Sequence, residues 1–74
     1  MNRSRRKKLM EAIELIGRVK EILEDVKEEE QNAFDNMPES FQFGERGEQM
    51  EEYISDIEEA LDDLESSEIL ISEI

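Results

Sequence analysis

Apolar residues return every three or four positions through two long stretches of this chain, and the only proline, Pro38, falls between them. That spacing follows one face of a helix, whereas a half-buried strand would alternate at every second position. In the first stretch Leu9, Ala12, Ile16, Val19, Leu23, Val26 and Ala33 keep the period, interrupted only at Glu30. A seam of this kind predicts a heptad-patterned helix from Arg3 to about residue 36. Ile13, Leu15, Ile22 and Phe34 lie beside the seam. At about 100° per residue the apolar arc then spans about 180°, wider than the ~100° stripe that faces a single neighbour. Helix 1 is therefore expected to touch more than one helix.

The second stretch carries Met50, Tyr53, Ile54, Ile57, Ala60, Leu61, Leu64 and Ile71, which predicts a helix from about residue 45 to about residue 70 with a narrower arc of about 120°. Ser67 and Glu68 interrupt the stripe, so the turns beyond Glu68 are expected to fray or dock elsewhere. Residues 37–44 form the connection. Pro38 lacks an amide hydrogen and pushes Met37 out of the α region, which ends helix 1 near Asn36. A short helical turn from Pro38 to Gln42 is compatible with proline's preference for a first helical position. The fold class expected is all-α: one domain over residues 1–74, folded as an antiparallel two-helix hairpin.

Charge supports the fold-back. The chain carries 22 acids against 9 bases, a formal net charge of −13, yet eight of the nine bases lie in residues 1–27. Folding back is expected to set Arg3, Arg5, Arg6, Lys7 and Lys8 alongside Glu65, Glu68 and Glu73. Exposed pairs of this kind contribute about 0–1 kcal/mol each and select orientation more than they stabilise. Despite the acidity, Leu, Ile, Val and Phe supply 19 of 74 residues, above the roughly 20% level below which disorder is expected. A lone hairpin cannot bury so broad an apolar arc. The expected remedy is a homodimeric four-helix bundle, with Leu15, Ile16, Val19, Ile22, Leu23 and Val26 at the oligomer interface.

Most chemistry is closed to this composition. Cys, His and Trp are absent, which removes thiol nucleophiles, disulfides, zinc fingers and the usual imidazole acid or base. Adjacent acids such as Glu51 and Glu52, Glu58 and Glu59, or Asp62 and Asp63 diverge by about 100° on a helix, while working carboxylate pairs need a shared cleft. Ferritin-type bundle sites need His, and no EF-hand pattern of alternating acids around a glycine occurs. No catalytic residue, cofactor or metal site is expected, and the protein reads as a non-enzyme. The apolar runs are too short for a membrane span or a signal peptide, so the expected location is cytoplasmic. The basic cluster at residues 3–8 is opposed by the acidic remainder and has no interleaved aromatic, so direct nucleic-acid binding is not expected.

Two features point to binding. Phe34, Phe41 and Phe43 crowd with Met37 into the connection, and aromatics and Met are enriched at binding hot spots. They either plug the open end of the hairpin or present a partner-binding tip. The acid-rich stretch of residues 28–65, including Glu51, Glu52, Glu58 and Glu59, is either a solvated face or an array that imitates duplex phosphates. Gly17, alone in helix 1, is a tolerated cost of about 1 kcal/mol rather than a hinge.

The run Glu28-Glu29-Glu30-Gln31-Asn32-Ala33-Phe34-Asp35-Asn36-Met37-Pro38-Glu39-Ser40-Phe41-Gln42, followed by Glu45-Arg46-Gly47-Glu48, resembles a family of small acidic phage and prophage proteins. The resemblance spans nearly the whole chain, and its specific part is the pattern E-E-E-Q-x-A-F-D-N-M-P-E-S-x-Q. It implies a phage origin, the host cytoplasm as location and a helical hairpin, and it supplies no catalytic residues. Locally, Asp35, Asn36 and Ser40 are expected to cap exposed backbone amides. The function expected is a phage-encoded interaction module that binds and modulates a host or phage protein, as a nucleic-acid mimic or anti-defence inhibitor. The alternative is a scaffold or adaptor in phage morphogenesis.

Overall fold

The computed structural model describes all residues from Met1 to Ile74 and contains three helices: α1 (Arg3–Asp35), α2 (Glu39–Gln42) and α3 (Glu45–Ser72). The two long helices pack antiparallel along their length, and the single turn of α2 closes one end. The result is a rod of 58 × 15 × 12 Å with a radius of gyration of 17.1 Å, against about 11 Å for a compact chain of this length. The all-α helical hairpin is the fold.

Local chemistry starts and stops each helix. Asn2 caps α1, its side-chain oxygen accepting from the Arg5 amide at 2.9 Å, which satisfies one of the four amides a helix start leaves unpaired. At the far end of α1, Pro38 prevents continuation and itself caps α2 in an extended conformation. The Phe34 carbonyl, which has no i+4 amide to accept from because Pro38 stands there, accepts from the Gln42 side-chain amide at 2.9 Å. This bond across the connection ties α2 back onto α1. The capping expected of Asp35, Asn36 and Ser40 is not what forms: the Asp35 carboxylate accepts from Gln31 at 3.0 Å within α1, and the clamp belongs to Gln42. The Phe34 carbonyl also accepts from the Met37 amide at 3.1 Å, so the Gln42 side chain adds a second bond at the end of α1.

Gly47 shows why α2 and α3 can meet so closely. It is one of only two buried residues in the molecule, and a β-carbon there would run into the backbone of Gln42. Backbone sits where a side chain would be, so only glycine fits. Gly17 has nothing within reach of an added β-carbon.

The seam between the long helices departs from the apolar reading. On α1 the half-buried positions Leu9, Ile13, Ile16, Lys20, Leu23, Lys27, Glu30 and Phe34 recur at alternating four and three, and they face Ile54, Ile57, Leu61, Leu64 and Ile71 of α3. Leu9, Ile16 and Leu23 belong to both rows. Val19 and Val26, expected in the seam, are instead 43% and 44% exposed. Their places are taken by Lys20 and Lys27, whose aliphatic stems cover the seam while their ammonium groups reach out to acids on α3. The Lys20 Nζ lies 3.3 Å from Glu68 Oε1 and 3.4 Å from Glu68 Oε2, and Lys27 Nζ lies 3.9 Å from Glu58. A search for apolar period alone passes over such positions.

Glu68 therefore pairs with Lys20 and not with the basic cluster at residues 3–8. Only Arg6 of that cluster bonds across the hairpin, its guanidinium donating to the Ile74 carbonyl just beyond α3 at 3.0 Å. The end expected to be neutralised is not: Arg3, Arg5, Lys7 and Lys8 form no ion pair within the chain. α3 also runs past Glu68 to Ser72 rather than fraying. Its last turns are held because Ile71 is half-buried in a small apolar hollow with Leu9 and Ile13 of α1, and because Lys20 covers the Glu68 interruption.

Candidate functional site

Three surfaces are built by this arrangement. The first is the closed end of the hairpin. Phe34, on the last turn of α1, and Met37 are half-buried, whereas Phe41 and Phe43 are 58% and 77% exposed. The structure thus divides the aromatic cluster in two. Phe34 and Met37 are sheltered at the closed end, and Phe41 and Phe43 stand out from it. The amides of Phe41 and Phe43 bond back to Pro38 at 2.9 Å and to Glu39 at 3.3 Å. With the Gln42 clamp, these bonds fix the backbone that carries both rings. A rigid mount of this kind lowers the entropy lost when an aromatic anchor enters a partner's pocket.

The second surface is acidic. On the outer side of α3, away from α1, Glu45, Glu48, Glu52, Asp56, Glu59 and Asp63 recur at three and four spacing, all exposed. At about 1.5 Å rise per residue they stand about 4.5–6 Å apart along one line. Glu52 and Glu59 belong to this row. Glu51 and Glu58 lie at its margin, and Glu58 is engaged by Lys27. On the same flank as Glu58, an open trough is lined by Lys20, Glu24, Lys27, Leu61, Asp62 and Glu65. No group of three acids comes close enough together to hold a metal ion, and no helix is long and apolar enough to cross a membrane.

The third surface is apolar. Glu24 lines the acidic trough, so Ile22, two residues earlier, turns to the opposite flank of the rod. There Leu15, Val19, Ile22 and Val26 form a row at 62%, 43%, 48% and 44% exposure. Of the six residues expected at an oligomer interface, these four are open on this flank. Ile16 and Leu23 are instead half-buried in the seam against α3. Ile54, at 8%, is the only buried apolar side chain in the molecule. Sequence reasoning merged two rows of α1 into one wide arc, because nothing in hydropathy says which row the partner helix takes.

The chain matches no protein-family profile, no curated protein and no solved structure. The surfaces themselves therefore carry the functional reading.

Proposed function

We propose that this is a non-enzymatic, phage-encoded interaction module, a homodimeric helical hairpin that docks on a protein partner through Phe41 and Phe43 at its closed end. The exposure of these two rings on a clamped turn carries the reading. Solvent-facing Phe pairs are costly to leave bare, and aromatic residues on a pre-organised mount are the usual anchors of a protein interface. The phage origin rests on the loop resemblance. The acidic row on α3 favours a second mode, occupancy of a basic groove built for nucleic acid, because six carboxylates in line at helical spacing offer a repeated negative charge.

Capture from bacterial lysate on the immobilised protein tests both modes. The expected result is a retained protein that is lost with the double substitution Phe41→Ala and Phe43→Ala. That variant should keep its unfolding free energy within about 0.5 kcal/mol, because the rings support little of the fold. Loss on charge reversal at Glu52 and Glu59, together with release by moderate salt, would assign the binding to the acidic row instead. Retention indifferent to both sets of substitutions, or no retained protein at low salt, overturns the proposal.

A further inference from the structure

The apolar flank of α1 has a definite charge pattern at its two ends, and that pattern bears on how a second copy would sit on it. We propose that two copies pack α1 against α1 in opposite directions, so that Val19 of one faces the partner's Ile22 and Lys8 lies one turn from the partner's Glu29. This rests on the homodimer reading and adds its geometry.

The hairpin has more surface than a chain of its mass needs. It exposes 5998 Å² at 8.7 kDa, whereas a compact monomer of that mass exposes about 4,700 Å². The excess is larger than the ~800 Å² that each partner contributes to a standard interface. The open row is also placed for helix packing. Leu15, Val19, Ile22 and Val26 are separated by four, three and four, which is the alternation of a coiled-coil seam. α3 presents no equal to it, since its edge toward the same flank interleaves Tyr53 and Ala60 with Asp56 and Asp63.

Charge then selects the direction. Residues 3–13 of α1 hold five bases and one acid, and residues 24–35 hold one base and six acids. This segregation opposes the helix macrodipole, which favours acids at the N-terminus and bases at the C-terminus. α1 alone gains nothing from it, and within the hairpin Arg3, Arg5, Lys7 and Lys8 find no acid to pair with. An antiparallel copy resolves both facts. Extending the apolar row by the same alternation reaches Ala12 and then Lys8 at one end and Glu29 at the other. Reversal about the midpoint between Val19 and Ile22 sets Leu15 against the partner's Val26 and Lys8 opposite the partner's Ala33, one turn, about 6 Å, from the partner's Glu29. A parallel copy sets Lys8 on Lys8 and Glu29 on Glu29, with like charges facing at both ends.

The chain has no cysteine, so introduced thiols report the geometry directly. Sedimentation equilibrium on the full chain should first give a dimer. Leu15→Cys and Val26→Cys proteins are then oxidised mildly, separately and after mixing. The expected result is a covalent dimer only in the mixture, because in the antiparallel arrangement the two copies of residue 15 stand about 16 Å apart. A charge cycle supplies a second readout. Lys8→Glu and Glu29→Lys should each weaken dimerisation roughly tenfold at low salt, and the double exchange should restore it. Self-linking of Leu15→Cys in a stable dimer overturns the antiparallel geometry and leaves the homodimer reading standing. A stable dimer in which the mixture fails to link overturns packing of α1 on α1 and assigns the flank to α3 of the partner. A monomer at all concentrations overturns the homodimer reading, and this arrangement with it.

Discussion

Gly47 and Gly17 are the same residue type in helices of one chain, with opposite consequences. Gly47 is buried where the Gln42 backbone crosses α3, and an added β-carbon has no room. Gly47→Ala must push α2 off α3, and the expected loss is about 1–3 kcal/mol by chemical denaturation, the range for overpacking a closed contact. Gly17 meets nothing within 4 Å of an added β-carbon, so Gly17→Ala should raise stability by about 0.5–1 kcal/mol through lower entropy in the unfolded chain. Equal effects of the two substitutions would contradict the packing described for α2. Gln42 is the third informative residue, because its side chain bonds the Phe34 carbonyl across the connection. Gln42→Ala should cost about 1 kcal/mol and loosen the mount of Phe41 and Phe43.

At the scale of the helices, the seam joins apolar layers to charged ones. Leu9, Ile13, Ile16 and Leu23 alternate with Lys20 and Lys27, and the side chains of Lys20 and Glu68 retain 25% and 23% exposure. A pair this sheltered specifies register: a slip of α3 by one turn would strand Glu68 beside apolar side chains and remove the carboxylate from Lys20. Lys20→Leu alone should destabilise by about 1 kcal/mol, since Glu68 is left half-buried without its cation. Lys20→Leu with Glu68→Leu should recover that loss or exceed wild-type stability, because apolar side chains then meet in the seam. If the double variant is no more stable than the single one, the pair is not a unit. The same pairing explains why α3 persists to Ser72. Its polar interruption at Ser67 and Glu68 is bridged from α1, and Ile71 then packs beyond it.

The whole molecule is a thin rod with one buried apolar side chain and a row of exposed aliphatics along one flank. Such a rod has almost no interior of its own, so its stability should depend on protein concentration if the flank is covered by a second copy. Ile22→Glu, in the middle of the open row, should abolish the proposed dimer by sedimentation and lower the melting temperature. Glu14→Ala, exposed and outside both rows, should do neither. Identical masses for wild type and Ile22→Glu would separate this flank from assembly.

Much of the fold was legible in the order of residues. Three and four spacing, Pro38 and the short connection are local properties, and they were sufficient for two helices, a turn between them and an antiparallel fold-back. The division of labour among side chains was not legible. Hydropathy ranks Val19 above Lys20 and Val26 above Lys27, yet the lysines lie in the seam and the valines face outward, because a long side chain can cover apolar surface while its charge reaches an acid on another helix. The aromatic cluster was visible as a cluster, but its separation into the sheltered Phe34 and Met37 and the exposed pair Phe41 and Phe43 depends on where α2 turns. The basic cluster was assigned to the end of α3 from charge alone, and the register of Lys20 on Glu68 leaves most of it unpaired. The sequence by itself determined the elements and their antiparallel order, because periodicity is a property of neighbouring residues and a connection this short turns the chain back on itself. Only the tertiary structure decided which of two rows on α1 was consumed by the hairpin and which was left open, because that choice depends on the rotation of one helix against another.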